Sequence, residues 1–205
     1  MKHIFKQGTD LSNTTLLLLH GTGGSEKDLL PIAEHIDPSA NVLSVRGNIN
    51  ENGMSRYFKR LRPGVFDEED LKVRTHELND FLDDAAEEYG FDRRKILAVG
   101  YSNGANIAGS LLFHYSDALA GAVLHHPMVP LRGLDLPDLS GLAVFIGAGK
   151  NDPICPSEES EELEQLLSNT GANVSIHWEN HGHQLTGTEI DAAADWYRNQ
   201  KNRLD

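Results

Sequence analysis

Cysteine is scarce in this chain. Cys155 is the only one in 205 residues, so no internal disulfide can form and a cross-linked secreted scaffold is excluded. Long apolar runs are missing as well. The N-terminal stretch holds the four leucines Leu16 to Leu19 with no secretory core or cleavage signal, and no segment reaches the length a bilayer demands. Together these absences predict a cytoplasmic protein with no membrane partner. Basic residues are outnumbered, 18 Lys and Arg against 31 Asp and Glu, for a formal charge of −13. Such a field repels nucleic acid. Internal repeats, low-complexity tracts and Pro/Gly/Ser linkers are also absent, and the length suits one domain spanning 1–205.

What the chain does contain is an alternation of short apolar runs and amphipathic segments. Residues 15–19, 41–45, 96–100, 121–124, 142–146 and 174–178 are apolar without clean alternation, the pattern of strands covered on both faces. Between them, residues 67–89 place Leu71, Leu78, Phe81, Leu82, Ala85 and Tyr89 on one helical face, open on acids and stop at Gly90. Residues 157–167 and 188–197 also have helical spacing. Strand alternating with helix predicts a doubly wound α/β fold, a mostly parallel sheet of about six or seven strands with helices on both faces. Ligands of such sheets sit at the carboxyl ends of the strands. The stretch 46–67 breaks the rhythm and is expected to be a long functional connection.

Gly100-Tyr101-Ser102-Asn103-Gly104 is a G-x-S-x-G set between a strand and a small-residue helix. That context is the tight turn that lifts a serine hydroxyl above a sheet. A serine needs a base, and the base an orienting acid, which in this fold follow in the order Ser, Asp, His. Asp152 follows one apolar run, and His181 and His183 follow the next. Order and placement predict Ser102, Asp152 and a histidine as catalytic residues. The residues alone leave His181 and His183 close to even. The oxyanion is expected at the backbone N–H groups of Asn103 and of Thr22, in the glycine loop 20–24. No third ligand stands at diagnostic spacing beside His181 and His183, so no metal is expected. Residues 147–150 fail the spacing of a phosphate-binding loop, and no organic cofactor is expected.

LLLLHGTGG, RG followed by ENGMSRYFKR, GYSNGA, NDPICP and HGHQLT occur in this order along nearly the whole chain. In these motifs the chain resembles the phospholipase/carboxylesterase family of small serine hydrolases, which includes the acyl-protein thioesterases. It is more similar to the bacterial esterase branch associated with hydroquinone and thiol stress. The resemblance implies an α/β-hydrolase fold, a triad of Ser102, Asp152 and His183, small carboxylic esters as substrates, and a homodimer. Thioesterases of the family usually carry Gln after the serine, where this chain has Asn103. An acyl thioesterase with the same triad and a catalytically idle binding protein are the alternatives.

Gly21, Arg56, Phe58, His126 and Met128 are candidate substrate-binding residues. His126 stands equally as a histidine satisfied by local hydrogen bonds, and Cys155 as a packing residue. Arg46, Arg56, Lys59, Arg60 and Arg62 form a basic island whose only acid is Glu51. Either part of it, Arg56 first, faces the pocket to take a carboxylate, or it pairs with the acids at 67–70. Only residues 127–141 separate two predicted strands, too few for a cap domain, so the pocket should be open and shaped by residues 46–67.

Overall fold

The computed structural model describes residues 1–11 and 13–204, the last three by their helical backbone alone. Seven strands form the central sheet: β1 (His3–Lys6), β2 (Thr15–Leu19), β3 (Asn41–Val45), β8 (Ile96–Tyr101), β9 (Gly121–His125), β10 (Ala143–Gly149) and β11 (Asn173–Glu179). Their spatial order is β1-β3-β2-β8-β9-β10-β11. Only β1 runs antiparallel, pairing with β3. It was not read from the sequence, because at the sheet edge it is only half-buried and carries Lys6 and His3.

Alternation across the pleat sorts side chains to the two faces. Leu17 and Leu19 of β2 pack with α2 (Glu68–Tyr89), α3 (Asn103–His114) and α4 (Ser157–Asn169). Leu16 and Leu18 face the opposite layer, α1 (Leu30–Ile36) and α5 (Gly187–Leu204). Helices therefore cover both faces, as an α/β-hydrolase fold requires. The Asp67 carboxylate caps α2 by accepting from the Asp70 N–H at 3.1 Å, and Gly90 ends it in the left-handed region at φ 76°. The helices α4 and α5 run beyond their expected ends, to Asn169 and Leu204. Near the far end of α5, the Tyr197 hydroxyl and Lys201 ammonium both donate to Asp37 (2.8 and 2.7 Å), beside α1.

The stretch 46–67 is not a loose connection. It folds into two hairpins, β4 (Ile49–Glu51) with β5 (Met54–Arg56), and β6 (Arg60–Arg62) with β7 (Val65–Phe66). Their strands are too short for a periodic signal to register. Residues 126–142 join β9 to β10 without a helix or strand, so no cap domain covers the sheet edge.

Candidate active site

Ser102 sits between β8 and α3 at φ 52° and ψ −112°. A positive φ in a residue with a side chain is backbone strain that the surroundings must hold in place. The hold comes from the Ser102 N–H donating to His125 O at 2.8 Å, and from the Asn106 N–H donating back to Ser102 O at 2.9 Å. Gly104 lets the turn pack tightly: a Cβ there would lie 2.0 Å from Leu19 O.

Asp152 follows β10 and His183 follows β11. Ser102 Oγ is 2.9 Å from His183 Nε2, and His183 Nδ1 is 2.7 Å from Asp152 Oδ2. The Tyr101 hydroxyl donates to His183 O at 2.6 Å and tethers that loop. Burial opposes the charge on Asp152. The Cys155 N–H, His183, the Ile154 N–H and His126 outweigh it and hold its carboxyl below the ordinary range. His181 is exposed and pairs with Glu179 at 3.8 Å. Burial pushes the Cys155 thiol up, and Asp152 and Glu159 add to the rise, so it is a protonated packing group.

The hairpins brace the glycine loop. The Arg56 guanidinium donates to Thr22 Oγ1 at 2.6 Å and to Phe58 O at 3.2 Å, and the Gly23 N–H donates to Ser55 O at 2.9 Å. The Tyr57 N–H donates to Asn103 Oδ1 at 2.8 Å. The Tyr57 hydroxyl accepts from the His20 N–H (3.0 Å) and donates to Val45 O (2.6 Å). One short segment thus holds both Thr22 and Asn103, the latter at the helix N-terminus where backbone donors are left over.

A pocket of about 320 Å³ takes in Ser102, Asn103, His183, Thr22, Arg56, Arg60, Met128 and Phe66 among its lining. Three expected substrate contacts lie elsewhere. Phe58 is wholly buried, edge-on to Phe66 at 5.0 Å, and Phe66 takes its place in the wall. Gly21 lines a separate groove with Leu29 and Ile32. His126 is buried behind Asp152, its Nδ1 2.9 Å from Asp152 Oδ2 and its Nε2 3.1 Å from Glu189 Oε2. Glu189, wholly buried on α5, was missed because an acid in a helix's first turn normally signifies only the helix dipole.

The basic island divides. Arg46 pairs with buried Glu26, and Lys59 with Asp70 at 3.8 Å. Arg56 and Arg60, both in the pocket wall, share the single anion Glu51 at 3.4 and 2.9 Å, which leaves one positive charge in surplus. Donor atoms of His126, Asp152 and His183 lie within 4.8 Å of one another, near enough for a metal ion. Their nitrogen–oxygen separations of 2.7 and 2.9 Å are those of hydrogen bonds, with a proton between each pair.

This geometry has known counterparts. A carboxylesterase structure from Bacillus cereus superposes at TM-score 0.96 with 66% identity, over 97% of this chain and 94% of that one. The structure of YahD with malic acid superposes at 0.92 with 36% identity, over 98% and 99%. MhqD of Bacillus subtilis (strain 168) is 62% identical over 97% of this chain and 98% of its own. The sequence pattern of the dienelactone hydrolase family matches residues 58–202. The likeness to esterases and thioesterases drawn from the motifs agrees with these findings, and the chain belongs to the dienelactone hydrolase family of α/β-hydrolases.

Proposed function

We propose that this hydrolase is a serine carboxylesterase acting on small esters, with Ser102 as nucleophile, His183 as general base and acid, and Asp152 as its orienter. The observation that carries the reading is the continuous line Ser102 Oγ, His183 Nε2, His183 Nδ1, Asp152 Oδ2, at 2.9 and 2.7 Å. His183 takes the hydroxyl proton as the oxygen attacks the carbonyl, then returns it to the leaving alcohol. The backbone N–H groups of Thr22 and Asn103 receive the oxyanion. A water deprotonated by His183 then releases the acid from the acyl-enzyme.

Incubation with a fluorophosphonate, followed by intact mass, tests the reading. The expected result is one adduct on Ser102, absent in Ser102→Ala, whose turnover falls roughly 10³-fold or more. Folded wild-type protein that takes no adduct overturns it in favour of an idle binding protein. Matched oxygen and sulfur esters separate the esterase from the thioesterase alternative.

The pocket's surplus cation supports carboxylate-bearing esters as the preferred class, and the malic acid held by the similar YahD accords with it. Arg60, 26% exposed, is better placed than Arg56, which is 4% exposed and committed to Thr22. Arg60→Gln should raise KM for a carboxylated ester and leave a neutral ester of equal size unchanged. Equal effects on both would reject the preference.

A further inference from the structure

Behind Asp152 the hydrogen-bonded line does not stop. Asp152 Oδ2 accepts from His183 on one side and faces His126 Nδ1 at 2.9 Å on the other, while Oδ1 accepts the N–H groups of Ile154 (2.8 Å) and Cys155 (2.9 Å). His126 turns its other nitrogen to Glu189 Oε2, and Glu189 Oε1 meets His125 Nδ1. His125, His126 and Glu189 are at most 1% exposed. Isolated buried carboxylates are costly and survive only when paired. Both nitrogens of His126 face carboxylate oxygens, which accept but do not donate when ionised, so both nitrogens must carry protons.

The backbone is built around this arrangement. His126 adopts φ 51°, a region costly to a bulky side chain, and its N–H is fixed on Gly147 O at 2.7 Å. Gly147 opens the space for Glu189: a Cβ there would fall 2.0 Å from Glu189 Oε1. Burial works against a charged His126, but Glu189 and Asp152 outweigh it and raise its basicity above the ordinary value. The other groups facing His126 are the His183 ring, centroids 5.1 Å apart, and the Tyr101 ring at 6.0 Å.

We propose that His126 is a positioning residue, an imidazolium protonated at neutral pH and held between Asp152 and Glu189, that fixes Asp152 Oδ2 toward His183 and keeps a positive charge beside it. The proposal rests on the triad reading above. Its consequence is electrostatic: a fixed cation beside His183 opposes His183's own protonation, so it widens the acidic range over which Ser102 is activated.

Nitrogen-15 NMR of histidine-labelled wild-type protein tests the charge without any substitution. Both His126 nitrogens should carry protons at neutral pH, and in Glu189→Gln the second proton should leave at lower pH. A bare nitrogen on wild-type His126 at neutral pH overturns the proposal. The second measurement is the pH dependence of fluorophosphonate labelling in His126→Asn, which can still donate to Asp152 and tolerates a left-handed backbone. The acid limb of its labelling rate should move up by about half a unit or more, and an unmoved limb overturns the proposal. Failure of wild-type protein to label at all would instead defeat the triad reading.

Discussion

Asp152 stands between two imidazoles, and the chemistry differs on its two sides. His183 lines the pocket and, in the proposed mechanism, gains and loses a proton, whereas His126 is buried and need not. The buried side has a thermodynamic consequence. His126 is more basic folded than unfolded, so its contribution to stability is complete below about pH 6.5, the unfolded value, and is lost as pH rises through the folded one. Urea unfolding of wild type and His126→Asn should therefore show a wider gap near pH 6 than in strong alkali. Cys155 illustrates the opposite case, a group in the pocket wall to which the proposed mechanism gives no role. Its thiol is held protonated, and Cys155→Ala should keep most of the wild-type turnover at a stability cost of about 1 kcal/mol. Nucleophilic chemistry at Cys155 would appear as a large loss instead.

The pair of hairpins between β3 and α2 does at the level of elements what no single residue could. β5 and the following Tyr57 hold the glycine loop and Asn103 in one grip, so the spacing of the two proposed oxyanion donors depends on the register of β5. Tyr57 is wholly buried, with its hydroxyl shared between His20 N–H and Val45 O. Tyr57→Phe leaves both groups without that partner and should cost about 1–3 kcal/mol. Because the loop loosens while the pocket wall stays, kcat should fall more than KM rises, readable from steady-state rates on one neutral ester. Sequence periodicity was blind to these hairpins, since strands of two or three residues show no period, but it located α2 to within a residue. The difference lies in length: 22 residues of helix repeat their apolar stripe many times.

Across the whole molecule, the carboxyl ends of β8, β10 and β11 gather Ser102, Asp152 and His183 at one edge of the sheet, with no cap above them. An uncovered pocket of about 320 Å³ needs no lid opening at a lipid surface. Activity on p-nitrophenyl esters should be highest for short acyl chains and show no jump when a longer ester passes its solubility limit. A sharp rise at that limit would mean a covering element closes in solution. No helix among the described residues is long and apolar enough to cross a membrane. The order of motifs was enough to determine the fold and to name Ser102, Asp152 and the histidine pair, because strand-end positions in a parallel sheet converge by topology alone. Only the tertiary structure separated His183 from His181 on geometric grounds, moved Phe58 and His126 out of the pocket, and divided the basic island among Glu26, Glu51 and Asp70. It also brought Glu189 under the site from 37 residues beyond Asp152. Partners so far apart in the chain meet only through the packing of α5 on the sheet, and no local pattern encodes which buried carboxylate will face which imidazole.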